Sequence, residues 1–105
     1  MFYKVAYGES RKAKVWHNDK IEWEELRKRL QSPLRTAETV SEYHKMKSAG
    51  RSAAKDKGGF VAGELKDGKR NSSAVVCRSM LTLDVDNAKK TFLEEYMALS
   101  PYCYC

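Results

Sequence analysis

The chain has 105 residues, 42% of them apolar and 32% charged, enough for one modest core and too few for two. Charges of both signs are mixed, large apolar residues recur, and no apolar run approaches the ~20 residues that span a bilayer, which argues against a disordered chain and against a membrane protein. The formal net charge is +6, and the whole surplus lies in residues 1–57; that asymmetry favours a polyanionic partner, nucleic acid first, the alternative being a basic solvated face that aids solubility.

In chain order, the aromatic and branched run Met1–Tyr7, stopped by Gly8, predicts a strand. Glu9–Lys14 reads as a basic loop and Val15–Trp16 as a second short strand. Glu22–Gln31 reads as a helix, with Trp23, Leu26 and Leu30 in one buried stripe. Glu24 and Glu25 precede Lys28 and Arg29 by four residues, the favourable order for helix ion pairs. Pro33 ends that helix. Thr36 reads as the cap of a second helix, Ala37 to about Lys47, with Val40, Tyr43 and the Lys47 stem on one face.

The small, basic stretch Ser48–Lys57 reads as a mobile surface loop. Gly59–Leu65 reads as a strand, Lys66–Lys69 as a tight Asp-Gly turn, and Ala74–Cys77 as the returning strand. Met80–Val85 has the clearest strand pattern in the chain and is expected at the centre of a sheet. Asn87 is expected to cap a helix from Ala88 to about Leu99, its buried face built from Ala88, Phe92, Tyr96 and Leu99, widened by Leu93 and Met97. Pro101 stops it. Tyr102–Cys105 reads as the start of another strand, an ending that suits either a terminal edge strand or a piece cut from a longer protein.

The residues that could carry chemistry begin with Thr82, Asp84 and Asp86. On a strand they share one face while Leu81, Leu83 and Val85 share the other. Two carboxylates roughly 7 Å apart along a strand can converge on one hard cation. Alternatively, Asp86 joins Asn87 in capping the next helix. Lys69, Arg70 and Arg78 lie close in sequence to this acidic segment and are candidates for binding nucleotide phosphates, or for balancing the local charge.

The run from Gly63 to Arg70 nearly matches a phosphate-binding P-loop. Its last position, however, is Arg70 where a hydroxyl must meet magnesium, and its context is strand–turn–strand where the motif needs a helix. Cys77, Cys103 and Cys105 are an odd set for a disulfide framework and too few for a zinc site, so a reducing cytoplasm fits best. The opening residues show no signal peptide, and without a secretory route the glycosylation sequon Asn71–Ser73 carries no meaning. Arg11, Lys12, Lys14, Arg51, Lys55 and Lys57, all expected in loops, are the candidate nucleic-acid contacts.

Three segments carry a family resemblance: Lys55–Gly63 with its glycine pair, then Lys69–Arg70, then Arg78–Asp86. Together, and with Trp23, Leu26 and the Arg35–Thr39 segment, they resemble the N-terminal primase-like domain of phage and mobile-element replication proteins. These are the virulence-associated protein E-like proteins of the archaeo-eukaryotic primase superfamily, and the resemblance covers nearly the whole chain. It implies an α+β fold, an RRM-like primase-core sheet packed by about three helices. It implies that Asp84 and Asp86 are catalytic, binding Mg²⁺ or Mn²⁺ that would hold the nucleoside triphosphate phosphates and activate the attacking hydroxyl. A DNA template is the implied partner, with a helicase-like ATPase following on the same polypeptide.

The superfamily's histidine motif and third carboxylate do not occur in residues 1–105. The expectation is therefore a single domain that is the first, incomplete half of a catalytic domain, in a phage-type primase-polymerase that makes primers by metal-dependent nucleotidyl transfer. Alone it is expected to be inactive or nearly so. The competing class is a non-enzymatic, basic nucleic-acid-binding or replication-partner module.

Overall fold

A computed structural model describes residues 1–82 and 84–102. The fold is mixed α/β, as expected: antiparallel strands with four α-helices among the described residues. The elements are β1 (Phe2–Gly8), β2 (His17–Glu22), α1 (Trp23–Gln31), α2 (Val40–Lys45), α3 (Ser48–Lys55), β3 (Gly59–Val61), β4 (Gly63–Leu65), β5 (Val75–Arg78) and α4 (Phe92–Met97).

The central strand is β1. It pairs antiparallel with β2, Phe2 opposite Glu22 through Tyr7 opposite His17, and with β3, Ala6 opposite Val61 through Gly8 opposite Gly59. Its residues alternate faces, and both faces are covered. On one, Val5 packs with Ile21 and Leu26, flanked by Tyr3, Tyr7, Trp23, Phe60 and Met80. On the other, Ala6 packs with Trp16 and Leu65, flanked by Ala13, Val61 and Val75. Burying each large aliphatic chain contributes about 2 kcal/mol. A strand covered on both sides explains why Met1–Tyr7 carries apolar residues at neighbouring positions instead of a clean alternation.

The second face needs small residues. A β-carbon on Gly8 would lie 2.5 Å from Trp16 Cε2, so the indole lies directly on the β1 backbone. The β4–β5 hairpin covers this face, and a β-carbon on Gly63 would lie against the Cys77 carbonyl. Asp67 and Gly68 both have positive φ, 55° and 62°, which bears out the Asp-Gly turn.

Other elements correct the sequence reading. Val15–Trp16 is no strand; the strand is the charged run His17–Glu22, where only Ile21 is buried. Its pairing with β1 holds it extended, a tertiary effect that leaves no periodic signal. Leu30 is exposed, because α1 buries only Leu26 and half-buries Trp23 against Tyr3. The cap of α2 is Thr39, not Thr36. Its hydroxyl accepts from the Glu42 N–H while the Glu42 carboxylate accepts from the Thr39 N–H, a reciprocal box that Thr36 cannot form. Val40 is exposed rather than packed.

Ser48–Lys55 is a helix, not a loop; Ala49, Ala53 and Ala54 supply the propensity that its Ser and Gly obscure. Gly59–Leu65 is split at Ala62 into two strands in different sheets. Met80–Val85 is not a strand at any described position. A strand exists only where its backbone groups find a neighbour, and no described strand pairs with this segment. The expected helix Ala88–Leu99 shortens to α4, preceded by a turn at Asp86–Asn87 with Asn87 at φ 54°. Positive φ is incompatible with a helix start there. Phe92 and Tyr96 stack at 5.8 Å, but Leu93, Met97 and Leu99 are exposed, so no buried face forms. Tyr102 lies in a short 3₁₀ turn, not a strand; Leu83 and Cys103–Cys105 lie outside the described residues.

Candidate nucleic-acid interface

The loop joining β1 to β2 carries Arg11, Lys12 and Lys14, all exposed. It is fixed from two sides. Asp56, at the end of α3, accepts from the Ser10 hydroxyl at 2.6 Å and from the Arg11 backbone N–H at 2.8 Å. The Ser10 hydroxyl bond, followed by the Arg11 N–H, holds the Asp56 carboxyl below its usual range. Within the loop, the Ala13 N–H donates to the Ser10 carbonyl, and Trp16 Nε1 donates back to the Ala13 carbonyl.

The β4–β5 connection meets the loop at Trp16. The Trp16 backbone N–H donates to the Gly68 carbonyl at 2.8 Å. Two residues on, the Arg70 guanidinium lies 5.1 Å from the centre of the Trp16 ring, and its Nη1 donates to the Arg11 carbonyl at 3.3 Å. Basic segments 59 positions apart thereby form one surface of Arg11, Lys12, Lys14, Lys69 and Arg70. None of the five is in an ion pair among the described residues. Glu9 and Asp67 are the nearest acids in sequence, and Asp56 is already engaged. Exposed cations in such a concentration repel one another, and a polyanion relieves that repulsion.

The other expected contacts lie elsewhere. Arg51 and Lys55 are on α3, not in loops, and Lys57 follows it; the alanine-rich backbone that makes the helix is the reason. Lys55 Nζ sits 5.4 Å from the Tyr43 ring centre. Arg78 ends β5 opposite Gly63 and is exposed. Lys69 and Arg70 lie in the connection between β4 and β5, and Arg78 lies at the opposite end of that hairpin. Asp84 and Asp86 are exposed, on irregular chain and in a turn, so they do not share a strand face. Neither has a hydrogen bond or an ion pair among the described residues, and no third His, Cys, Asp or Glu joins them there. As a donor set, two carboxylates suit a hard cation but give only part of its oxygen shell.

Two features escaped sequence reasoning. Asn18 ties β4 to the main sheet, and Trp16 is a buried platform, 3% exposed, beneath Arg70. The Asn18 bonds span 47 positions and leave no local signal. No described helix is long and apolar enough to cross a membrane.

A family model described as the VapE N-terminal domain matches residues 2–105. No curated protein and no solved structure matches the chain.

Proposed function

The chain belongs to the VapE N-terminal domain family, and on that premise we propose that it is the leading part of a phage-type replication protein of the primase-polymerase class. Its own contribution is to hold polynucleotide phosphates on the surface formed by Arg11, Lys12, Lys14, Lys69 and Arg70. The observation that carries this reading is the Arg70 guanidinium, stacked on Trp16 and bonded to the Arg11 carbonyl, which joins two basic segments into one. A guanidinium held in place loses less side-chain freedom when it meets a phosphate than a solvated one does.

The test is oligonucleotide binding followed by fluorescence anisotropy. Arg11→Gln/Arg70→Gln should weaken binding about tenfold, the order expected for two charge-assisted phosphate contacts. Arg27→Gln/Lys28→Gln removes the same charge from α1 and should change it less than about twofold. Equal losses in both variants would reduce the effect to net charge and end the assignment.

A second reading concerns Asp84 and Asp86. Both carboxylates are exposed and uncommitted among the described residues, which favours a role as partial ligands for Mg²⁺ or Mn²⁺. The metal would supply charge neutralisation for triphosphate oxygens. The two side chains would bind and orient it, with substrate and water completing the shell.

A further inference from the structure

Between the C-terminal end of α1, α2 and the C-terminal end of α3 lies an open cleft of about 490 Å³, a size typical of small-molecule sites. Its walls divide by chemistry. Leu30, Leu34 and the Tyr43 ring supply an apolar side, while Arg29, Lys55 and Lys57 supply positive charge. Arg29 is anchored by Glu25 and lies 5.3 Å from the centre of the Tyr7 ring. Lys55 and Lys57 are exposed and in no ion pair among the described residues. In place of a carboxylate, Lys55 sits over Tyr43.

A polar acceptor stands beside the same cleft. Thr36, which lines it, donates to Glu38 and is the main reason that carboxyl is held below its usual range. Glu38 Oε2 is buried with no hydrogen-bond partner among the described residues, and the nearby Lys57 charge also helps to hold the carboxyl low. Apolar ring surface beside two ammonium groups, Lys55 over Tyr43 and Lys57 near the Glu38 carboxylate, describes a ligand with a flat ring and a phosphoryl group.

We propose that this cleft binds a nucleoside monophosphate, with the phosphate on Lys55 and Lys57 and the base against Leu30, Leu34 and Tyr43. The base displaces the Lys55 ammonium from the Tyr43 ring, and the ammonium turns to the phosphate. The site shares no residue with the Asp84–Asp86 segment or with the Arg11–Arg70 surface, and Asp56, between Lys55 and Lys57, ties it to the Arg11 loop.

The experiment is an amide NMR titration of the 105-residue chain with AMP, adenosine and inorganic phosphate. AMP should shift the amides of residues 32, 34–36, 43 and 55–58. Adenosine and phosphate should each bind at least about tenfold more weakly, since each keeps only half of the contacts. Lys55→Gln/Lys57→Gln should weaken AMP about tenfold and leave adenosine unchanged, whereas Tyr43→Ala should weaken both. Phosphate binding as tightly as AMP would overturn the proposal. So would AMP shifts centred on residues 11–14 and 69–70, or undiminished AMP binding by the double variant.

Discussion

The side-chain amide of Asn18 satisfies both backbone groups of Leu65: Nδ2 donates to the Leu65 carbonyl at 2.7 Å, and Oδ1 accepts from the Leu65 N–H at 3.0 Å. One side chain thus supplies two hydrogen bonds between β2 and β4 at the point where Leu65 enters the core. An amide alone carries a donor and an acceptor in that arrangement. Asn18→Ala should cost about 2 kcal/mol, since it leaves two partly buried backbone groups unpaired. Asn18→Asp should cost more, because a carboxylate oxygen would face the carbonyl. Urea midpoints rank the three proteins, and an Asn18→Asp chain as stable as the parent would refute the two-point pairing.

Gly8 and Gly50 should respond oppositely to alanine. At Gly8 the new methyl meets the Trp16 indole at 2.5 Å, and Gly8 is held by its pairing with Gly59 of β3; a loss of about 1–3 kcal/mol follows. At Gly50, within α3, the nearest atom is Met46 Cβ at an ordinary 3.6 Å, and the change should add about 0.5–1 kcal/mol through helix propensity. Thermal unfolding of both variants gives the signs directly.

Asp56 makes the basic loop acid-sensitive. Its carboxyl is held below the usual aspartate range, first by the Ser10 hydroxyl and then by the Arg11 N–H. A lowered folded-state value means that the stabilisation is complete above the unfolded aspartate value and fades as pH falls below about 4. Asp56→Asn should therefore destabilise the chain at pH 7, with the gap to the parent closing as acid protonates the parent's carboxylate. A gap that stays constant from pH 7 to pH 3 would mean that the Asp56 charge holds nothing.

Manganese provides the reading for Asp84 and Asp86. Paramagnetic broadening of amide signals should centre on Val85 and its neighbours, and should disappear in Asp84→Asn/Asp86→Asn. With only part of a coordination shell, binding should be weak. Broadening centred elsewhere, or unchanged in the double variant, would leave the two residues as surface charge.

What the sequence disclosed depended on how local the cause was. The first strand, the first helix and the Asp-Gly turn were legible because neighbouring residues determine them: aromatic density in residues 2–7, the charge order Glu25 to Arg29, and positive φ at Asp67 and Gly68. The strand His17–Glu22 was hidden because an edge strand that buries only Ile21 has no alternation to read. Met80–Val85 misled for the opposite reason: it alternates without a partner among the described strands, and pattern alone does not make a strand. The basic residues were visible as composition. Their convergence was not, since the Arg70–Arg11 bond joins positions 59 apart.

Salt dependence tests the central claim most directly. Each phosphate neutralised on a single strand contributes a slope of about −0.7 to log K against log salt. Contacts from Arg11, Lys12, Lys14, Lys69 and Arg70 should give about −3.5 for the parent chain and about −2 for Arg11→Gln/Arg70→Gln. A slope near zero, or one that the double variant leaves unchanged, would contradict a phosphate-binding surface built on these residues.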